Sequence, residues 1–235
     1  MIDFHTHVLP NVDDGSSSLD ESLGLLSMLA RQGVSRVFAT PHFDAMRDTP
    51  EAFFERRSRA ASILLPHLTP DMPELLLGAE LAYFPGVSRM SILGDMKLER
   101  TDLILLEMPI CRWSEDMIAE MLDIAKREGI KLVLAHAERY IKYQPRALFD
   151  RLISGGILIQ ANASVFTKFT TRRRALARLA QGRIHLLGSD CHNLTSRPPR
   201  IGEAVAIIDK HLGPAAVTQL ISMADSLFLE NGTKD

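Results

Sequence analysis

The chain has 235 residues, of which 46% are hydrophobic and 24% are charged, and its formal net charge at pH 7 is -2. This length and composition fit one globular domain, so we expect a single domain over residues 1–230 and a frayed tail over residues 231–235. The charge balance offers no basic field to a nucleic acid, and no run reaches the roughly 18 apolar residues of a membrane span. With no signal-like segment after Met1 and only two cysteines, we expect a cytoplasmic protein without a nucleic-acid partner or membrane insertion.

Short apolar runs alternate with longer amphipathic ones along the chain. We predict strands near residues 2–5, 34–39, 75–80, 102–107, 131–136, 157–161 and 184–188, several of them continuous apolar runs typical of buried parallel strands. We predict helices at residues 19–32, 50–65, 115–127, 146–153, 172–181, 199–212 and 215–228. The first helix is the clearest, because Ser18 and Glu21 form a capping-box pattern and Gly33 supplies a C-terminal stop.

This alternation predicts the fold class. Seven strand-helix units with right-handed crossovers favour a closed α/β barrel, and an open doubly wound sheet is the alternative. Both folds collect chemistry at the carboxyl ends of their strands.

Metal-binding side chains stand where the predicted strands stop. They are His5, His7, His42, Glu80, Glu107, His136, Asp190 and His192, with Asp14 in the loop after the first strand. Imidazole and carboxylate are the ligands that Mn, Fe and Zn prefer. Any one of these residues could be an ordinary surface side chain. Nine of them at matching positions predict a site for two or three metal ions at the C-terminal rim, and this arrangement is typical of a hydrolase.

Two groups of residues do not follow this pattern. We interpret His67, His185 and His211 as structural or solvated, because they lie at a turn, inside a strand and late in a helix. We interpret the basic run at residues 172–174 as a solvated helix start rather than a nucleic-acid patch.

Four segments carry a resemblance to a known family. They are Met-Ile-Asp-Phe-His-Thr-His from Met1, Asp-Asp-Gly from Asp13, His-Ala-Glu-Arg-Tyr from His136, and Ser-Asp-Cys-His-Asn-Leu-x-x-Arg-Pro-Pro from Ser189. With the nine-residue pattern they resemble the polymerase and histidinol phosphatase (PHP) superfamily, and within it the bacterial capsule and exopolysaccharide tyrosine phosphatases of the CpsB/CapC type. The resemblance spans nearly the whole chain.

The resemblance implies a fold, a cofactor and an activity. The implied fold is a distorted, TIM-like (β/α)7 barrel, the PHP fold, and the implied activity is phosphotyrosine-protein phosphatase. The implied metals are Mn or Fe, with Zn as an alternative. The implied substrate is an autophosphorylated tyrosine kinase of polysaccharide export, whose tyrosines lie on a flexible tail, and inorganic phosphate is the product.

The resemblance also implies how the ligands divide. One ion would take His5, His7, Glu80 and Asp190, a second Glu80, Glu107 and His136, and a third Asp14, His42 and His192. The family often has Met where this chain has Cys191.

The expected reaction is attack of a metal-activated hydroxide on phosphorus, with departure of the phenolate. Arg139 and Arg197 are the expected phosphate clamps, because each follows a ligand motif and a guanidinium matches phosphate oxygens in a bidentate fork. His42 and Asp190 complete the candidate catalytic set. Separately, Tyr140, Phe166 and Phe169 could either flank a phosphotyrosine ring or pack in the core.

Several alternatives stay open. The same metals could serve a phosphatase of a small phosphomonoester such as histidinol phosphate, a PHP nuclease, or a binding module with a vestigial site. Cys191 and Arg197 also have the spacing of a cysteine phosphatase. The loop between them contains no glycine to form an amide nest, so we disfavour a thiolate nucleophile.

Overall fold

Parallel strands and helices alternate along residues 1–229, the part of the chain that the computed structural model describes. The strands are β1 (Ile2–Thr6), β2 (Arg36–Ala39), β3 (His42–Phe43), β4 (Glu74–Leu77), β5 (Glu80–Ala82), β6 (Leu103–Glu107), β7 (Lys131–Leu134), β8 (Leu158–Asn162) and β9 (Leu186–Gly188). The helices are α1 (Leu19–Arg31), α2 (Pro50–Leu64), α3 (Glu115–Ala125), α4 (Arg146–Ser154), α5 (Ser164–Thr167), α6 (Phe169–Ala180), α7 (Ile201–Leu212) and α8 (Pro214–Leu229). The predicted frayed tail at residues 231–235 lies outside the described residues.

The strands curl into the expected barrel. One parallel sheet has the order β1-β2-β4, and a second has the order β3-β5-β6-β7-β8-β9. An isolated parallel bridge between Thr6 and Cys191 joins the first strand to the segment after β9. The expected α/β barrel is therefore confirmed. It is distorted because two of its strands are interrupted, one being divided into β2 and β3 and the other into β4 and β5.

The breaks follow from local chemistry. Pro41 separates β2 from β3 because it has no N–H to give to a sheet ladder. Gly78 separates β4 from β5, where an added Cβ would come within 2.4 Å of Leu98 Cδ2. Beyond the breaks, His42 pairs with Glu80 in register, so both side chains reach the rim together.

The barrel interior is apolar below that rim. Alternate strand side chains pack inside it, namely Phe4, Phe38, Leu76, Leu103, Leu105, Val133 and Leu186, together with Leu227 and Phe228 of α8. The alternate positions Val37 and Ile104 face outward and belong to the clusters under the surrounding helices. The period of two therefore determines which strand side chains face the barrel interior.

The predicted helices are present, in the order among the strands that the sequence predicts. The link from β5 to β6 has no α-helix and uses two short 3-10 turns, Val87–Arg89 and Leu93–Met96. The last strand is followed by both α7 and α8, in agreement with the two helices predicted at residues 199–212 and 215–228, and α5 is an additional short helix. No helix in residues 1–229 combines the length and apolarity that a membrane crossing requires.

Candidate metal centre

All nine predicted ligands converge at the C-terminal rim. Their donor atoms form four overlapping groups, each with its atoms within 4.8 Å of one another: His7, Asp14, His42 and His192; His5, His7 and Asp190; His5, Glu80 and His136; and His42, Glu80 and Glu107. The division into three ions that the resemblance implies is compatible with these groups but is not tested by them. The ligand roles of the nine residues stay a prediction, whereas their convergence is a structural fact.

Glu80 lies at the centre of the cluster. Its Oε2 is 3.1 Å from His5 Nε2, 3.3 Å from His7 Nε2 and 2.9 Å from His42 Nδ1. Its Oε1 is 2.7 Å from His136 Nε2. One carboxylate thus faces four imidazole rings, as a bridging ligand would.

A bulge in β1 brings the first two histidines inward. The register with β2 advances by three residues from Asp3 to Thr6, against two residues on β2. A bulge re-aims a side chain, and here Phe4 stays in the inner core while His5, the next residue, joins the rim cluster. Gly188 leaves room for that ring, because a Cβ there would lie 2.6 Å from His5 Cβ.

Two other ligand candidates have left-handed backbones. His136 has a φ of 29° and Asp190 a φ of 52°, and both are buried. Strand alternation would place His136 outside the barrel with Leu134, so its unusual backbone accounts for its Nε2 lying beside Glu80. Such strain in non-glycine residues persists where surrounding contacts hold it, often at functional sites.

The group of His7, Asp14, His42 and His192 opens to solvent. Asp14 Oδ1 lies 3.4 Å from His42 Nε2 and 3.4 Å from His192 Nε2, and the Asp14 side chain is 66% exposed. The His7 and His192 rings lie 4.0 Å apart between centroids. A substrate would therefore approach the cluster from this side or from the neighbouring arginines.

The charged groups of the cluster compensate one another. Burial lowers the pKa of His7, but the hydrogen bond to Asp13 and the contact with Glu80 outweigh it and raise the pKa to about 9. His42 behaves alike, with burial opposed by Glu80 and a pKa of about 9. Burial raises the pKa of Glu80, yet the surrounding imidazoles hold it well below its usual range. Without another cation, buried imidazoles would carry the protons that balance the carboxylates.

Two buried atoms test whether a metal ion fits this site. Glu80 Oε2 and His192 Nε2 have no hydrogen-bond partner, although imidazole nitrogens surround the former. His5 Nε2 and His7 Nε2 also lie only 3.1 Å apart. Converging imidazole nitrogens and carboxylate oxygens, two of them without a hydrogen-bond partner, are the donor set that Mn, Fe or Zn takes. The residues present therefore fit a polynuclear metal site.

Supporting residues that the sequence analysis missed orient the cluster. Asp13 Oδ2 accepts from His42 N at 3.0 Å and lies 2.7 Å from His7 Nδ1. Gln160 Oε1 accepts from His136 N at 2.6 Å, and Asn162 Nδ2 donates to Asp190 Oδ2 at 2.7 Å. The amides of Gln160 and Asn162 could have been predicted to lie at the site from the sequence, because side chains two positions apart in a strand face the same side.

The two predicted clamps bracket Asp190. Arg139 Nη2 is 2.5 Å from Asp190 Oδ2, and Arg197 Nη2 is 2.8 Å from Asp190 Oδ1. Arg139 Nη1 also lies 3.3 Å from Glu107 Oε1. Both arginines line a cavity of about 560 Å³, here called the arginine cleft, whose wall includes Asp190. The cleft therefore meets the nine-residue cluster at Asp190.

Cys191 is placed where it cannot act as a nucleophile. Its side chain is fully buried, and burial, with nearby Asp3, raises the pKa of the thiol far above its ordinary value. The amide groups of the following loop are also occupied, since Asn193 Oδ1 accepts from the N–H groups of Thr195, Ser196 and Arg197. The loop offers no amide nest to a phosphate, in keeping with the sequence interpretation.

The remaining aromatic and histidine candidates from the sequence differ in burial and position. Tyr140 and Phe166 are fully buried, so they belong to the core, whereas Phe169 is 90% exposed. The other histidines lie outside the cluster. His67 Nδ1 lies beside Ile63 O, and His185 Nδ1 accepts from Ile159 N at 2.9 Å.

Comparisons with known proteins agree with this geometry. The tyrosine-protein phosphatase CpsB of Streptococcus agalactiae is 30% identical, over 98% of this chain and 96% of that protein. The tyrosine-protein phosphatase YwqE of Bacillus subtilis is 28% identical, over 99% and 93% of the two chains. A solved structure from work on YwqE of Bacillus subtilis and CpsB of Streptococcus pneumoniae, described as unique metal-dependent tyrosine phosphatases, superposes with a TM-score of 0.85 at 25% identity. It covers 100% of this chain and 96% of that one.

The family assignment rests on the whole chain. The family model for capsular polysaccharide synthesis proteins, CpsB/CapC, matches residues 1–230. The strand-end ligand candidates, the paired arginines and this match lead to one conclusion: the chain belongs to the CpsB/CapC family.

Proposed function

We propose that this protein is a metal-dependent protein-tyrosine phosphatase that hydrolyses phosphotyrosine to tyrosine and inorganic phosphate. The observation that carries the proposal is the arginine cleft, whose two guanidinium groups flank Asp190 on a wall shared with the nine-residue cluster. The named activity of the relatives supports it.

Side chains at the site would have distinct roles in phosphotyrosine hydrolysis. Arg139 and Arg197 would bind the phosphoryl oxygens in the cleft, and Asp190 would fix both guanidinium groups through its two oxygens. His42 is half-buried at the solvent side of the cluster, 3.4 Å from Asp14 Oδ1, and would act in the catalytic set as a metal ligand. Bound metal ions would lower the pKa of a water and offset phosphate charge.

The nine cluster residues would hold two or three ions of Mn or Fe, with Zn as an alternative. We propose the division among the ions that the family resemblance implies. One ion would be bound by His5, His7, Glu80 and Asp190. A second would be bound by Glu80, Glu107 and His136. Asp14, His42 and His192 would hold the third. Anomalous scattering from a crystal would count and identify the ions.

The proposal extends to the substrate and the setting. We propose a phosphorylated tyrosine on the flexible tail of a polysaccharide-export tyrosine kinase as the physiological target. The two free thiols, Cys111 and Cys191, suit a reducing compartment, and we place the enzyme in the cytoplasm. Residues 1–230 would act as one catalytic domain.

A substrate panel tests the activity. Phosphotyrosine peptide, histidinol phosphate and single-stranded DNA are compared in protein as purified, after chelation, and after return of Mn, Fe or Zn. We expect turnover of the peptide alone, lost on chelation and restored by metal. Undiminished turnover in fully metal-free protein, or a preference for either other substrate, would refute the proposal.

A further inference from the structure

A second cavity of about 440 Å³ lies between α4 and α6, beside the arginine cleft. Its floor is apolar and includes Phe149, Ile159 and Ile184. Its lining contains one acidic residue, Glu138, and six basic ones: Arg139, Lys142, Arg146, Arg174, Arg178 and Arg183. We call it the basic cavity.

The basic run at residues 172–174 contributes to this cavity. Arg174 lines it, whereas Arg173 is exposed outside it and Arg172 donates to the carbonyl of Phe166 at 2.9 Å. The interpretation of the run as a solvated helix start thus applies to Arg173 and is wrong for Arg172. The run lies inside α6, which begins at Phe169.

The positive charge of the basic cavity is only partly compensated. Arg183 pairs with Asp150 at 2.8 Å. Within residues 1–229, no carboxylate forms an ion pair with Arg174 or Arg178. Burial, followed by the charges of Arg146 and Arg174, lowers the pKa of Arg178. An anionic group in the cavity would relieve this repulsion.

The basic cavity is continuous with the arginine cleft. Four residues line both: Glu138, Arg139, Val165 and Thr171. A peptide residue spans at most about 3.3–3.6 Å, so a residue a few positions from a bound phosphotyrosine reaches the second cavity. The apolar floor suits the methylene groups of an acidic side chain, and the guanidinium groups suit its carboxylate.

We propose that the basic cavity binds acidic side chains flanking the phosphotyrosine, and so selects acidic segments of protein substrates. The proposal rests on the proposed phosphatase function and concerns its specificity. It assigns Arg174 and Arg178 as specificity residues that do not touch the reacting phosphoryl group.

Two matched peptides test it. Both carry one phosphotyrosine, flanked in one by three aspartates on each side and in the other by three asparagines. We expect wild-type protein to show a kcat/KM about tenfold higher for the aspartate peptide, with the ratio shrinking in high salt because exposed charges are screened. In the double variant Arg174→Gln/Arg178→Gln the ratio should fall to about one. The control Arg173→Gln should keep the wild-type ratio.

Binding measurements separate failure of this proposal from failure of the proposed function. Fluorescence anisotropy follows the unphosphorylated aspartate peptide, whose binding should weaken in the double variant, with thermal melting as a check that the variant folds. Equal kcat/KM for the two peptides in wild-type protein, or a preference that survives in the double variant, would overturn the inference while leaving the phosphatase intact. Absence of turnover of either peptide with metal present would overturn the function itself. Tighter binding of a single-stranded oligonucleotide than of the aspartate peptide would overturn the assigned ligand class.

Discussion

The two ends of the barrel are built from opposite chemistry. At the lower end, Phe4 and Phe38 stack at 5.4 Å between centroids, and Phe228 of α8 closes the interior. At the rim, buried carboxylates and imidazoles crowd within hydrogen-bond distance, and two non-glycine residues hold left-handed backbones. Burial of the apolar end stabilises the fold, whereas burial of the charged end costs stability that a ligand must offset.

This difference separates stability from function along one axis. The strand side chains inside the barrel are apolar, and the candidate ligands stand at or just past the carboxyl ends of the strands, so a few residues of chain separate the two environments. Substitutions at the rim should lower turnover and metal affinity, whereas substitutions in the interior should lower the free energy of unfolding. Substitutions at each end of the barrel test that separation.

Glu80→Gln should abolish most activity, because the carboxylate facing four imidazoles loses its charge. We expect kcat/KM for a phosphotyrosine peptide to fall about 1,000-fold or more, and the rise in melting temperature on adding Mn to shrink. Kinetics, metal content and thermal melts measure this. Glu128→Gln, at an exposed position, is the control. Full metal content with turnover within tenfold of wild type would contradict the central role of Glu80.

Phe38→Ala should act on the other end of the barrel. Truncating this fully buried ring should lower the free energy of unfolding by about 3–5 kcal/mol, measured by urea denaturation. Turnover per folded molecule should stay near that of wild type. Phe169→Ala is the matched control, since that ring is 90% exposed and its loss should change stability by no more than about 0.5 kcal/mol. Loss of turnover in folded, metal-loaded Phe38→Ala would show that the two ends are coupled.

Arg139→Lys and Arg197→Lys should each lower kcat/KM by about 10–100-fold, because an ammonium cannot form the bidentate fork that a phosphate takes. Arg139→Lys should have the larger effect, since Arg139 also contacts Glu107. Steady-state kinetics with phosphotyrosine peptide measure both, with Arg173→Lys as an exposed control. Wild-type kinetics in both variants would remove the clamps from the mechanism.

Cys191→Ser should retain activity within about twofold and cost about 1 kcal/mol of stability, because the thiol is a buried packing group. Cys111→Ser, at an exposed cysteine, is the control. Abolished turnover in Cys191→Ser, with metal still bound, would return the cysteine mechanism to consideration.

The nine candidate ligands could be predicted from the sequence because all of them except Asp14 directly follow a predicted apolar strand. Parallel strands end at the same edge, so residues at those ends meet whatever the details of the loops. This is why His136 and Asp190, far apart in sequence, could be placed together without a structure.

Other features depend on contacts that the sequence does not display. The bulge in β1 and the left-handed backbone of His136 change which face a side chain takes, against simple alternation. Asp13 resembles a turn residue until its carboxylate is seen beside His7. The short helix α5 and the 3-10 turns between β5 and β6 are likewise absent from the predicted elements.

His185→Asn should give the smallest effect, and it appears only in the pH dependence of stability. His185 directly precedes β9, away from the rim, and its Nδ1 accepts from Ile159 N, so the neutral ring is the folded form. Burial lowers its pKa below the ordinary value of 6.5, so the unfolded chain takes up the proton first as the pH falls. The contribution of the neutral ring is therefore complete above about pH 6.5 and is lost progressively below it.

The variant His185→Asn tests this, because asparagine keeps a hydrogen-bond acceptor without titrating. Between pH 7 and pH 5 its free energy of unfolding should fall less steeply than that of wild type. Exposed His211→Asn should leave the slope unchanged, and equal slopes in wild type and His185→Asn would show that this ring does not couple folding to pH.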